Sequence, residues 1–351
     1  MLCVLNGAFR VSRYTSAMPD QEHNNPGHTP VLLNEILGFL DLERGRPGLH
    51  VLDGTLGRGG HASHIIPKIG PGGHYLGTDL DAGNLAFAKD RLEPIAQQHG
   101  VALHLANTSF AAAEKAIRDA GMDPVDVVLA DLGFASNQVD DPGRGMSFKQ
   151  DGPLDMRLDP AGPTTAADLV NRLGEAELAD IIYRFGDERF SRRIARKIVQ
   201  ERASQPISTT LELAEICRRA YGPRGNPRNS SRIDPATRTF QALRIAVNGE
   251  LEALDMLLKR LPSLVAEDGL AVIISFHSLE DRLVKQAFQE YDKQGKFKRV
   301  TRKPVTASPE EEHHNPRSRS AKLRVAQRQN TGEESQQHNP ADPAPTAPTK
   351  R

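Results

Sequence analysis

Leu52-Asp53-Gly54-Thr55-Leu56-Gly57-Arg58-Gly59-Gly60-His61 is the stretch that decides the fold. An apolar run ends in Asp-Gly, a glycine-rich turn follows and a helical pattern begins, which is the order of strand, turn and helix in a parallel βαβ unit. Glycines at such a turn let backbone N–H groups approach a ligand closely, and the following helix offers its N-terminus. Working outward, Leu49–Asp53, Gly73–Asp79, Val101–Ala106 and Val125–Ala130 read as four short strands, each followed by a helical pattern or a turn. The fifth, Leu270–Phe276, comes only after Thr165–Leu173, Glu175–Tyr183, Glu188–Gln200 and Thr209–Tyr221, which carry apolar residues at helical spacing. One long helix over Thr237–Arg260 is expected to lead back to the sheet. The economical architecture is α/β: a doubly wound sheet with a helical domain inserted after its fourth strand.

With 351 residues the chain can bury one full α/β core and a smaller satellite. Its two cysteines, Cys3 and Cys217, lie far apart, which argues against a disulfide scaffold or a thiolate zinc site and fits a reducing compartment. The formal net charge is +0, so a nucleic-acid partner has to be argued from local patches. No apolar run approaches the roughly 20 residues that span a bilayer; a cytoplasmic location without membrane contact is expected. In residues 1–26 the arginines follow the apolar stretch Met1–Phe9 instead of preceding it, the wrong order for a secretory signal. They read as a disordered extension, with an organellar presequence as the alternative. Residues 329–351, rich in Gln, Asn, Thr and Pro, read as a disordered tail.

The glycine turn alone leaves its ligand open. Gly57, Gly59 and Ala62 also satisfy the dinucleotide pattern G-x-G-x-x-A, and Asp79 falls where an acid would bind ribose hydroxyls, so a nicotinamide-dependent oxidoreductase is one reading. Asp131 shifts the weight. It ends the fourth strand in Leu129-Ala130-Asp131-Leu132-Gly133-Phe134, an acid-plus-aromatic turn that hydride transfer does not need and an amino methyltransferase does. The N4 lone pair of cytosine is delocalised into the ring, and an acceptor that holds an N4 hydrogen makes the nitrogen a better nucleophile. Asp131 can be that acceptor and Phe134 can stack on an extruded base. A capping carboxylate and a core aromatic are the blander roles, and position alone leaves both open.

Six blocks then carry a family resemblance. His28-Thr29-Pro30-Val31-Leu32-Leu33-Asn34-Glu35, Asp53–His61, Gly152-Pro153-Leu154-Asp155-Met156-Arg157, Thr237–Ile245, Ser275-Phe276-His277-Ser278-Leu279-Glu280-Asp281-Arg282 and Asn315-Pro316-Arg317-Ser318-Arg319-Ser320 resemble, in order, the bacterial ribosomal RNA small-subunit methyltransferase H family. The resemblance spans about residues 28–328. It implies a Rossmann-like class I S-adenosylmethionine methyltransferase sheet, S-adenosylmethionine as cofactor, and a cytosine in the decoding region of 16S ribosomal RNA as target. It also implies the 30S subunit as partner and a homodimer as the expected assembly. Carried over residue by residue, the family's cofactor contacts fall on Gly59, Gly60, His61, Asp79, Phe110 (flanking the adenine), Asp131 and Gln138. Asp131 thus has two expected duties, as cofactor contact and as the catalytic acceptor of the target amine. The implied layout is methyltransferase domain over 27–139 and 237–328, and a helical substrate-recognition domain over 140–236.

The chain departs from the family at Leu132-Gly133-Phe134-Ala135-Ser136-Asn137-Gln138, where Leu-Gly-Val-Ser-Ser-Pro-Gln is usual. Losing a hydroxyl and a proline is expected to loosen this turn. The altered turn is also the one feature favouring a third reading, an RNA-binding ribosome-assembly factor without turnover. Arg184, Arg189, Arg192, Arg193, Arg196, Lys197 and Arg202, then Arg218, Arg219, Arg224, Arg228 and Arg232, with Arg317, Arg319, Lys322 and Arg324 near the C-terminus, are candidates for phosphate contacts. With few aromatics to stack bases, shape and backbone recognition of a structured RNA are expected. His277 follows the fifth strand, where ligands bind in open sheets, but reads equally as a structural residue and stands outside the catalytic set. His313 and His314 adjoin acids; no metal is expected, because a sulfonium is already an activated leaving group.

Overall fold

A computed structural model describes residues 30–40, 48–222 and 234–330. The expectations for residues 1–26, for the tail beyond 330, for the loop Pro223–Arg232 and for His28 and Thr29 lie outside the described residues. The strands β1 (His50–Asp53), β2 (His74–Asp79), β3 (Ala102–Asn107), β4 (Val125–Asp131), β5 (Val265–Ser275), β6 (Phe297–Arg299) and β7 (Lys322–Arg328) form one sheet in the order β3-β2-β1-β4-β5-β7-β6. Strands β3 to β5 pair parallel, and β7 runs antiparallel between β5 and β6.

Alternation along the strands feeds two cores. Val127, Leu129, Val272 and Ile274 face a layer built on helices α1 (Leu33–Leu40), α2 (Ala62–Ile69) and α3 (Ala82–His99). Val128, Ala130, Ala271 and Ile273 face the opposite layer, against α4 (Ala113–Asp119) and the leucines of a later helix. Beyond β4 come the short α5 (Ser136–Asp140), then α6 (Ala166–Arg172), α7 (Glu175–Gly186), α8 (Ser191–Arg202) and α9 (Thr210–Tyr221). They enclose a third, separate core that includes Leu178, Ile182, Ile194, Ile198, Leu213 and Cys217.

The single helix expected over 237–260 is two. Gly249, at φ +59°, ends α10 (Ala236–Asn248) and starts α11 (Glu250–Leu264). The break re-aims the chain. Ala236, Phe240 and Leu243 of α10 pack into the helical core, whereas Leu254, Leu257, Leu258 and Leu261 of α11 cover the sheet. The Gly152–Arg157 block locks onto this elbow: Asn248 Nδ2 donates to Met156 O and Asn248 Oδ1 accepts from Leu158 N–H, at 2.9 and 2.7 Å. The remaining helices are α12 (Ser278–Lys293), directly after β5, and α13 (Pro309–His314) before β7. Among the described residues, no helix is long and apolar enough to cross a membrane.

Candidate active site

The turn after β1 is built from its own side chains. Asp53 is buried; one carboxylate oxygen accepts from Thr55 N–H at 3.0 Å and the other from the Tyr75 hydroxyl at 2.7 Å. Burial pushes its carboxyl up to about 6, against the lowering effect of those two bonds. Thr55 then ties the turn to the next strand, its Oγ1 accepting from Asp131 N–H at 2.6 Å. Asp53, Thr55 and Tyr75 are supports that sequence reasoning missed; the Tyr75 hydroxyl finds its partner only when β1 and β2 pair. Gly59 takes φ +75°, and a Cβ there would lie 2.9 Å from Leu92 Cδ1, so any other residue is strained in the backbone and pushes the Leu92 side chain aside.

Asp79, at the end of β2, faces the same turn. Its Oδ2 accepts from Gly57 N–H at 2.8 Å and its Oδ1 from Asp81 N–H at 2.7 Å. Burial raises its carboxyl above the usual range although both amides pull it down. The carboxylate therefore shapes the glycine turn while its remaining lone pairs stay available to hydroxyl donors. Phe110 opens the short turn after β3 and lies directly across from Gly54, where a Cβ would come within 2.8 Å of its own. Gly60 and His61 close the turn at the start of α2.

His61 and Asp131, separate in the sequence, meet here. The His61 ring is buried, with Nε2 2.9 Å from Val31 O, which makes Nε2 the protonated nitrogen and turns the Nδ1 lone pair toward Asp131 Oδ2 at 3.6 Å. Burial holds its pKa below the usual histidine range. Asp131 Oδ1 is buried and has no hydrogen-bond partner. Burial, and then the charge of Glu280, push the Asp131 carboxyl up to about 7. An unpaired buried carboxylate oxygen is costly unless a ligand completes it.

The altered turn after β4 is tied by side-chain hydrogen bonds. Gln138, buried at 3% exposure, accepts from Ala135 N–H through Oε1 at 3.0 Å and donates through Nε2 to Asp81 Oδ2 at 3.2 Å. Asn137, standing where proline is usual, donates to Asn84 Oδ1 at 3.0 Å. The Asn137 bond is a side-chain tie that proline at this position could not make. Arg144, also absent from the sequence-based set, reaches Asp81 at 3.1 Å and donates to Arg157 O and Leu158 O, coupling the helical insertion to the cofactor side.

A second cluster lies beside Asp131, where β5 ends. Glu280 is buried; Oε2 accepts from Phe276 and His277 N–H at 2.8 and 3.1 Å. Burial works to raise its carboxyl, but His277, Arg244 and those amides outweigh it and hold it below the usual range. Arg244 makes a bidentate pair with Glu250, at 2.8 and 2.9 Å, and its guanidinium covers the Phe134 ring at 4.5 Å. Phe134, 39% exposed, is a solvent-facing ring and not a core aromatic. Glu250, His277 and Glu280 are the one grouping among the described residues with metal-ligand spacing. Both Glu250 oxygens already face Arg244, which leaves the trio without a free carboxylate on the Glu250 side.

The expected phosphate contacts separate into three kinds. Arg202 donates to Val170 O and Leu173 O, and Arg324 is buried in β7 against Asp281 at 2.7 Å; both hold the fold together. Arg184, Arg196, Lys197, Arg218 and Arg219 are engaged with acids of their own helical module. Arg189 and Arg192 are exposed and make no ion pair among the described residues.

The sheet with its antiparallel β7, the glycine turn and the acids ending β2 and β4 define a Rossmann-like, S-adenosylmethionine-dependent methyltransferase. The donor set suits that cofactor: a turn of backbone amides, a carboxylate beside it for ribose hydroxyls, and a second acid at the end of β4 tied to the same turn through Thr55. The chain belongs to the MraW methylase family, whose model matches residues 25–329. It is 48% identical over 306 residues to the ribosomal RNA small subunit methyltransferase H of Acidobacterium capsulatum, covering 86% of this chain and 98% of that one. The proteins of the same name from Koribacter versatilis and Sorangium cellulosum are 47% and 46% identical, over 86% of this chain and 94% and 90% of theirs. The nicotinamide reading of the glycine turn is thereby set aside.

Proposed function

We propose that this protein methylates the exocyclic N4 of a cytosine in the decoding region of 16S ribosomal RNA, acting on the 30S subunit in the cytoplasm. The observation that carries the chemistry is Asp131: a carboxylate at the end of β4 whose buried Oδ1 lacks a partner. S-adenosylmethionine, when bound, supplies a methyl group on a sulfonium leaving group. Asp131 Oδ1 accepts one N4 hydrogen of the cytosine, directing the nitrogen lone pair out of conjugation with the ring. It takes that proton as the N4–methyl bond forms and the electron pair of the breaking bond stays on sulfur. A carboxyl near neutrality can hold and release a proton in the working pH range.

On this reading Gly59, Gly60, His61 and Asp79 hold the cofactor from the β1 and β2 side and Phe110 flanks its adenine. Gln138 contributes by fixing the turn that presents Asp131 and Phe134. Phe134 offers the face on which the extruded base stacks, and Arg189 and Arg192 take phosphates. The relatives' names support a ribosomal RNA substrate; the cytosine and its N4 are argued from the amine chemistry of Asp131. A strain deleted for the gene should lack N4-methylation at one 16S cytosine. The wild-type gene should restore it and an Asp131→Asn allele should not; restoration by that allele would remove Asp131 from the chemistry.

A further inference from the structure

Two buried polar atoms at the ends of adjacent strands lack hydrogen-bond partners: Asp131 Oδ1 after β4 and His277 Nε2 after β5. The strands are in register here, Asp131 opposite Ile274, and Leu132 N–H donates to Ile274 O at 2.9 Å. Both side chains therefore sit at or just past the C-terminal ends of adjacent strands. His277 caps α12, its Nδ1 accepting from Glu280 N–H at 3.4 Å, so Nε2 carries the hydrogen. Nε2 lies 3.1 Å from Glu280 Oε1, but its N–H direction misses that oxygen, leaving an ion-pair contact without a hydrogen bond. The side chain is only 10% exposed, so water does not easily supply an acceptor.

An unpaired acceptor and an unpaired donor at the ends of adjacent strands match the two functions of one nucleobase edge. Cytosine presents an N4–H donor next to the N3 acceptor; uracil presents O4 and N3–H, the reverse. We infer that His277 is a specificity-determining residue that donates from Nε2 to N3 of the target cytosine while Asp131 Oδ1 accepts from N4, an inference that rests on the cytosine reading above. Uracil would set lone pairs against Asp131 and a hydrogen against His277, leaving two buried groups unpaired, the arrangement by which enzymes reject a near-isostere most strongly. Glu280 is then a positioning residue: it receives the Phe276 and His277 amides and holds the imidazole at the head of α12. Arg244, over Phe134 and braced by Glu250, walls the same space from the helical module.

The test uses small subunits reconstituted with either cytidine or 3-deazacytidine, which lacks the N3 acceptor, at the methylated position. Wild-type kcat/KM should fall at least about tenfold on the deaza substrate. His277→Phe should show a similar fall on cytidine and no further fall on 3-deazacytidine. His277→Gln, which keeps an N–H donor, should recover part of the rate. Cofactor Kd, measured alongside, should stay near wild type in both variants, while His277→Phe, which removes the α12 cap, should lower Tm by a few degrees. Wild-type indifference to N3 would overturn the inference whatever the variants do. So would a His277→Phe protein that still discriminates between the substrates as wild type does. Absence of methyl transfer by the wild-type protein to cytidine-containing subunits would instead strike the underlying function, and this inference with it.

Discussion

Replacing Asp131 by asparagine should make the protein more stable and nearly inactive at once. In the folded chain Asp131 keeps its proton up to about pH 7, whereas in the unfolded chain it releases it near the ordinary 3.8. Between those values the folded state binds more protons than the unfolded one, so stability falls as pH rises through the window and is fully diminished above about 7. The whole displacement is equivalent to about 4 kcal/mol. The side chain is 24% exposed, and solvent relaxation reduces that figure to about 1–3 kcal/mol. Asparagine fills the same space without the charge and regains that amount at pH 8. Asp53, pushed to about 6 mainly by burial and in part by the Asp131 charge, adds a slope of the same sign that is somewhat smaller in the variant, so the difference between them is Asp131's own effect plus that small coupling. Loss of the proton acceptor should lower kcat by about 10²–10⁴-fold. Chemical denaturation from pH 5 to 9, paired with methyl-transfer kinetics, reads both effects. A variant that is less stable than wild type at pH 8, or that keeps wild-type pH dependence, would show that Asp131 is a structural carboxylate and refute the reasoning.

Asp79→Ala should weaken S-adenosylmethionine binding by about 10–100-fold, because it removes the acceptor of the Gly57 amide along with the proposed ribose contact; titration calorimetry measures it. Gly59→Ala should cost about 1–3 kcal/mol of stability through a positive φ and a contact with Leu92, seen in thermal denaturation. An Arg189→Ala, Arg192→Ala double variant should bind subunits with a log Kd against log salt slope shallower by about 1–2 and an unchanged Tm. Arg202→Ala should do the opposite, lowering Tm by releasing Val170 O and Leu173 O without changing the salt slope.

The five parallel strands were legible because alternating apolar runs, each ending in a turn signal, report sheet burial directly. The acids at the ends of β2 and β4 were legible for the same reason, since strand ends converge on one edge. Local periodicity says nothing, however, about which face a helix presents after a break. The apolar pattern runs unbroken through Gly249, and only its positive φ divides α10 from α11 and sends them to different cores. Lys322 and Arg324 were read only for their charge, as part of an RNA patch; the segment is instead strand β7, where Arg324 pairs with Asp281 inside the sheet. Partners distant in sequence were the least accessible. Tyr75 with Asp53, His61 with Asp131, and Arg244 with Glu250 and Phe134 form only when the layers pack.

The central claim is tested most directly with purified protein, labelled S-adenosylmethionine and small subunits from a strain lacking the modification, followed by nucleoside mass spectrometry. The account predicts N4-methylcytidine as the labelled product, at one position in the decoding region. Label on another atom or base would contradict the role given to Asp131. Cofactor binding with no transfer would contradict the enzyme itself and favour a protein that only binds the subunit.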